Sequence, residues 1–140
     1  MVFVVGIKIY VNHKAFLHNL TVHLIHINAS YKPAYVYGGP TLSVAKLCET
    51  ISAQNIDIEV LTTLANGREE LDIKSGSSIS LEGVKVTYFK RLTKDHSHFS
   101  PTLLIAFWKK IRRNKNTIVH IHAWWNLVSI LTCLIAKHSN

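Results

Sequence analysis

The chain has 140 residues, of which sixteen are Lys or Arg and eight are Asp or Glu, so its formal net charge is +8. This length fits one domain and is too short for a two-domain enzyme. The charge favours association with polyanions or with an anionic membrane surface, and it does not choose between them.

Residues 1–20 are apolar, but the run is too broken for a membrane span. It is interrupted by Lys8, Asn12, His13 and Lys14. It also lacks the basic start and the small-residue cleavage site of a signal peptide. We interpret residues 1–20 as an extension of unclear status, with an added edge strand from Val2 to Val11 as the structural alternative.

A strand, a glycine loop and a helix follow in order. Val22–Ile27 reads VHLIHI and predicts a buried strand, and Pro40 suits the first position of a helix. Gly38 and Gly39 precede that helix, and without a Cβ they let a ligand approach the backbone and the free N–H groups of the helix. The alternative is a plain tight turn. The apolar face of the helix is formed by Val44, Leu47, Cys48 and Ile51.

The rest of the chain alternates between strands and helices, which predicts an α/β fold with a parallel sheet and helices on both faces. The predicted strands are Ile56–Thr62, Val84–Phe89 and Thr117–His122. Ala65–Gly83 is polar and predicts an excursion loop with a short hairpin around Ile79–Leu81. The last helix has a predicted apolar face of Leu127, Ile130, Leu131, Leu134 and Ile135.

A helix from Pro101 to Arg113 is predicted to have one apolar and one basic side. Its apolar residues are Leu103, Leu104, Phe107 and Ile111, and the cations are Lys109, Lys110, Arg112, Arg113 and Lys115. An ordinary solvated face, contact with a membrane surface and binding of nucleic acid all fit this pattern. Nucleic acid has the least support, because no base-reading module is visible.

Candidate ligand-binding residues lie after two of the predicted strands. The Gly38-Gly39 loop and the His122–Asn126 turn should open on the same edge of a parallel sheet, where ligands bind. His120 and His122 share one face of their strand, but no cysteine or carboxylate joins them, so no metal site is predicted. We interpret His120 as a core histidine and His122 as the residue at the ligand edge. Of Trp124 and Trp125, one should pack in the core and the other line the cleft.

Three segments carry a family resemblance, namely S-Y-K-P-A-Y-V-Y-G-G-P, T-L-S-V-A-K-L-C-E-T-I and V-H-I-H-A-W-W-N-L. They resemble the N-terminal domain of the family-4 (group 1) retaining glycosyltransferases, in which two Rossmann-like domains face each other in the GT-B arrangement. The resemblance implies that residues 21–140 are the acceptor-side domain. The chain stops directly after a helix and holds no candidate for the acidic E-x(7)-E motif of the C-terminal domain, so we expect a truncated or split enzyme.

The resemblance also implies the chemistry. It predicts metal-independent transfer of a sugar from a nucleotide-sugar donor to a glycan or lipid-linked acceptor, with no cofactor. By the resemblance, His122 would hold the donor sugar as the catalytic-site residue. From their own chemistry, Gly38 and Gly39 would face the donor diphosphate or the acceptor. Tyr37 and Trp125 would offer aromatic surfaces to the substrate, with simple loop packing as the alternative for Tyr37. Turnover would need a C-terminal domain, encoded in the same protein or separately. The expected location is the cytoplasm, including the inner face of the membrane.

A different function class remains open, namely a non-catalytic basic module that docks to a membrane or to an anionic partner. Cys48 and Cys133 form no metal-binding or redox spacing. They are expected to be buried thiols of a cytosolic protein.

Overall fold

The computed structural model describes residues 22–114, 116–123 and 125–139. The predicted extension of residues 1–20, including the alternative strand Val2–Val11, lies outside the described residues, as do Lys115 and Trp124. No helix within the described ranges is long and apolar enough to cross a membrane.

The described part of the chain forms seven strands and three helices. The strands are β1 (His23–Ile27), β2 (Asp57–Thr63), β3 (Ala65–Asn66), β4 (Glu69–Glu70), β5 (Ser78–Leu81), β6 (Val84–Phe89) and β7 (Thr117–Ile121). The helices are α1 (Gly39–Ser52), α2 (Pro101–Arg113) and α3 (Leu127–His138), and a short 3-10 turn covers Tyr35–Tyr37.

Five strands form one sheet in the order β5-β6-β2-β1-β7, and β3 pairs with β4 in a separate hairpin. The α/β prediction is confirmed, but the sheet is mixed rather than parallel, because β5 runs antiparallel to β6. The cause is the turn between them. Glu82 and Gly83 both have positive φ angles, of 49° and 84°, and two such residues form the tight hairpin turn that joins antiparallel neighbours.

The helices cover both faces of the sheet, as predicted. One apolar cluster joins Ala45 and Cys48 of α1 to Val60, Val84 and Val86 of the strands. On the opposite face, α2 and α3 pack against Ile25, Ile27, Leu61, Val119 and Ile121. This division follows from the strand geometry, because successive side chains point to opposite faces and parallel strands buried on both faces are apolar throughout.

Helix α2 has the predicted limits and packs its apolar side onto the sheet. Leu103, Phe107 and Ile111 are buried at a spacing of four residues, which places them on one side of the helix. The apolar side is therefore part of the core and is not a free surface. Lys110, Arg112 and Arg113 lie in the last turn, where cations are favoured by the helix dipole.

Helix α3 packs with a side that only partly matches the one predicted, since Ile135 of the predicted side packs against the core as expected. Its buried residues are Val128, Ser129, Thr132 and Ala136, whereas Leu127, Ile130 and Leu134 are between 41% and 48% exposed. Two hydroxyl groups explain this orientation. The Ser129 Oγ donates to the carbonyl of His122 at 2.9 Å, and the Thr132 Oγ1 donates to the carbonyl of Val128 at 2.7 Å. Small side chains with satisfied hydroxyls thus let the helix approach β7 closely.

Candidate functional site

The connections of the sheet define a switch point between β1 and β7. The chain leaves β1 through α1 to reach β2 on one side, and it returns through α2 to β7 on the other side. The loops after β1 and β7 therefore lead away from each other at the same edge, which opens a crevice where open α/β sheets bind ligands. Gly38 and Gly39 follow β1, and His122 and Trp125 follow β7.

Three histidines meet beside this crevice. His26 of β1 and His120 of β7 are partners in the parallel register, so both point to the face that α1 covers. His122 follows one step beyond β7, and its Nε2 lies 2.9 Å from the Nδ1 of His26. The ring centroids are 4.4 to 5.1 Å apart. We call His26, His120 and His122 the histidine cluster.

Burial keeps these imidazoles neutral. His26 is 1% exposed and His122 is 6% exposed. Burial lowers the pKa of His26 to about 3, with a further contribution from the two neighbouring histidines. Burial and the adjacent His120 lower the pKa of His122 to about 4. Near neutral pH, one imidazole of this pair therefore donates its N–H to the other.

The burial of His120 and His122 is the reverse of what the sequence predicted. His122 was expected at the ligand edge, yet it is buried: its main-chain N–H donates to the carbonyl of Ile27 at 2.9 Å, and its ring turns inward to His26. His120 was expected in the core with a backbone partner, yet it is only partly buried, and its Nε2 has no hydrogen-bond partner among the described residues. The hydrogen bonds between β1 and β7 continue one residue past β7, so the side chains of His120 and His122 point to the same face of the sheet.

His26 was missed by the sequence analysis. Its only signal was position, since His26 and His120 are each the last residue but one of their strands. This position predicts a contact between the two histidines only if β1 and β7 are known to be parallel neighbours.

The two glycines of the loop have different conformations. Gly38 has φ 63° and ψ −136° and stands at the start of α1, whereas Gly39 is the first helical residue and has no positive φ. The carbonyl of Gly38 accepts the N–H of Leu42 at 3.2 Å. A Cβ added at either glycine would meet nothing within 4 Å. The backbone therefore requires glycine at Gly38, while Gly39 faces open space, and no side chain caps the helix.

Tyr37 also follows β1, but it lines a separate cavity. Its hydroxyl accepts the N–H of Gly67 at 3.0 Å, and its ring lies edge-on to His98 with centroids 5.8 Å apart. The neighbouring tyrosines differ, since Tyr31 is buried in the core and Tyr35 is 57% exposed. A cavity of about 260 Å³ is lined by Tyr37, Gly67, Arg68, Lys94, Asp95, His96 and His98. Its lining places the cations Arg68 and Lys94 beside the Asp95 carboxylate, and such mixed hydrogen-bonding groups suit a hydroxyl-rich ligand.

Arg91 fixes the hairpin that forms one wall of this cavity. Arg91 is 3% exposed, and its guanidinium donates to the carbonyls of Gly67 and Glu69. The Glu70 carboxylate lies 3.7 Å from the Arg91 Nε. The guanidinium thus joins the end of β6 to both sides of the β3-β4 hairpin.

The turn after β7 is held by Asn126. Its Oδ1 accepts the N–H of Ser129 at 2.9 Å, and its Nδ2 donates to the carbonyl of Ala123 at 3.1 Å. Ala123 has φ 60°, which is uncommon for a residue with a side chain. Trp125 is 65% exposed, so it does not pack in the core. The expectation for Trp124 lies outside the described residues.

A second polar group lies at the opposite end of the sheet, on the face of α2. Glu59 is 2% exposed and accepts hydrogen bonds from Lys110 Nζ at 2.8 Å and from His23 Nε2 at 3.1 Å. Its sequence signal was a carboxylate inside the apolar strand IDIEVLT. These residues border an open cavity of about 370 Å³, lined by His23, Asp57, Glu59, Lys85, Lys110, Arg113 and Asn114.

Comparisons with known proteins returned no match. No protein-family model matches the chain, and no curated protein or solved structure is significantly similar to it.

Proposed function

We propose that residues 21–140 are the acceptor-side domain of a retaining GT-B glycosyltransferase, which moves a sugar from a nucleotide-sugar donor to a glycan or lipid-linked acceptor. One observation carries the proposal beyond the sequence resemblance. The glycine loop before α1 and the His122 turn after β7 begin at adjacent parallel strands, on the two sides of the switch point. Open α/β sheets bind nucleotides and sugars there.

The site residues have distinct roles in this proposal. The first N–H groups of α1 face the phosphate or the acceptor, because Gly38 and Gly39 leave the space in front of them open. The exposed ring of Trp125 and the ring of Tyr37 offer apolar surfaces for sugar C–H groups. Contact between His122 and the donor sugar requires its ring to leave the hydrogen bond with His26.

Catalysis requires a second domain in this proposal. Retaining transfer of this kind depends on electrostatic stabilisation of the leaving diphosphate by basic residues and helix N-termini. The resemblance assigns those basic residues to the C-terminal domain, which belongs to the same protein or is encoded separately. The nucleotide-sugar donor implies a cytoplasmic reaction, at the inner face of the membrane where the acceptor is lipid-linked.

Backbone NMR of the ¹⁵N-labelled chain tests the proposal without the second domain. Titration with UDP-glucose, GDP-mannose and a panel of oligosaccharides should shift the amide signals of Gly38, Gly39 and His122 and the indole signal of Trp125. Gly39→Val should abolish the shifts at an unchanged melting temperature, because the substitution fills open space at a helical residue. Absence of shifts at this edge with all the sugars would refute the proposal.

A second candidate function rests on the outer face of α2. Ile105 and Trp108 are 53% and 42% exposed, and the Arg112 guanidinium lies 4.9 Å from the Trp108 ring centroid. Exposed apolar side chains beside cations suit an anionic membrane surface. Vesicle flotation should then require anionic lipid, weaken at high salt and be lost in Trp108→Ala. Flotation that is indifferent to salt would count against this function.

A further inference from the structure

The histidine cluster has the composition and spacing of a metal site. The ring nitrogens of His26, His120 and His122 that could act as ligands all lie within 4.8 Å of one another. In a tetrahedral site with zinc–nitrogen bonds of about 2.0–2.1 Å, ligand nitrogens lie roughly 3.3 Å apart. Small rotations of the three rings would therefore bring one nitrogen from each to a common ion.

One nitrogen of the cluster points to a ligand independently of this spacing. The Nε2 of His120 is buried and has no hydrogen-bond partner among the described residues, whereas His26 and His122 bond to each other. Buried polar atoms are nearly always satisfied by a partner, by water or by an ion. A bound ion would satisfy the His120 nitrogen and replace the contact between the other two rings.

We propose that the histidine cluster binds a divalent transition-metal ion, with Zn²⁺ as the favoured ion. Imidazole nitrogen suits Zn²⁺, Cu²⁺ and Ni²⁺, whereas Mg²⁺ and Ca²⁺ prefer oxygen ligands. Three histidines leave the fourth position of a tetrahedral ion open to water or to an anion. His120 is only partly buried, so the ion and its fourth ligand reach the site from its side.

The fold holds the three ligands on rigid elements. His26 and His120 are register partners on adjacent strands. The main chain of His122 is held on both sides, because its N–H donates to Ile27 and its carbonyl accepts from Ser129. Ligands on packed strands keep their relative positions better than ligands on loops. The site depends on residues of this chain alone, and it competes with the proposed sugar transfer for one residue, because the His122 ring cannot hold the ion and contact the donor sugar at the same time.

Metal titration of the untagged chain tests the site directly. The chain is stripped with EDTA, freed of the chelator and titrated with Co²⁺ near neutral pH. We expect one equivalent to bind with the intense visible absorption of four-coordinate Co²⁺, and Zn²⁺ to displace it. At a free Zn²⁺ concentration hundredfold above the dissociation constant, the melting temperature should rise by roughly 10 °C.

Two variants decide the location of the ion. His120→Ala removes the most exposed ligand and should weaken binding by more than about 100-fold, since loss of an outer-shell contact alone costs 10–100-fold. The matched control is His96→Ala, an exposed histidine outside the cluster, which should bind like the wild type. Circular dichroism verifies that both variants fold. Absence of Co²⁺ and Zn²⁺ binding, or binding that survives in His120→Ala, would overturn the proposal.

Discussion

The Glu59–Lys110 pair should make a measurable contribution to stability. Lys110 belongs to the basic side of α2, where an ordinary solvated lysine would contribute little. The Glu59 carboxylate is 2% exposed, while the Lys110 side chain is about one-third exposed. Lys110→Met keeps the aliphatic stem and removes the charge. It leaves a buried carboxylate with His23 at 3.1 Å and Lys85 at 3.9 Å as its remaining partners.

The expected loss of stability in Lys110→Met follows from the burial of Glu59 and from its remaining partners. Breaking a fully buried ion pair costs about 3–5 kcal/mol, and losing one hydrogen bond to a charged group costs about 1.5–3 kcal/mol. Since Lys110 is partly exposed and both His23 and Lys85 remain near Glu59, we expect a loss of about 2 kcal/mol in the free energy of unfolding. For a domain of this size the melting temperature should fall by roughly 6–8 °C.

Urea denaturation of a double-mutant cycle provides the measurement. Glu59→Gln removes the carboxylate charge with little change of shape, and the double variant should lose at least about 1 kcal/mol less than the two single losses added together. Lys109→Met is the matched control, because Lys109 is exposed on the same helix. Its loss should stay within about 0.5 kcal/mol. Additive losses, or a Lys110→Met variant as stable as the control, would refute the buried pairing.

Three further predictions concern the loops and the acid range. Gly38→Ala should lower the free energy of unfolding by about 1–3 kcal/mol, because Gly38 has a φ of 63°. Gly39→Ala should be neutral or stabilising by up to about 1 kcal/mol in the same urea denaturation. Equal losses in the two variants would contradict the different conformations of the two glycines. In a two-domain enzyme, His122→Asn should lower the sugar-transfer rate roughly 10–200-fold, equivalent to about 1–3 kcal/mol, and full activity would remove His122 from the site. The hydrogen bond from Lys32 lowers the pKa of Glu49 from 4.5, so the unfolded chain protonates first and stability falls as the pH drops below about 4.5. Lys32→Met should flatten that part of the stability curve, and an unchanged curve would show that the pairing is not maintained in solution.

Local patterns in the sequence predicted most elements of this fold. The strands β1, β2, β6 and β7 were located to within one residue, because each is a short apolar run bounded by polar turns. The limits of α2 were correct, because Pro101 follows Ser100 and suits the start of a helix. These signals are contained within a few neighbouring residues, and they need no knowledge of the sheet.

The misses concern contacts and backbone angles that the local pattern of residue types does not specify. His26 and His122 are 96 positions apart, and their meeting depends on the order of strands in the sheet. The packed side of α3 was wrong in part, because hydrophobicity favoured Leu127, Ile130 and Leu134, whereas the buried side is formed mainly by small side chains and hydroxyl groups. The mixed sheet was missed because the pairing of β5 with β6 depends on the backbone of Glu82 and Gly83.

The Arg91 contacts also have a kinetic consequence. Because the guanidinium ties the β3-β4 hairpin to the end of β6, and Tyr37 holds the same hairpin through Gly67, this wall of the cavity exists before any ligand arrives. A preformed wall requires no loop rearrangement during association, so encounter alone should limit the rate of binding there. Stopped-flow traces would then contain a single phase whose rate rises linearly with ligand concentration and does not level off.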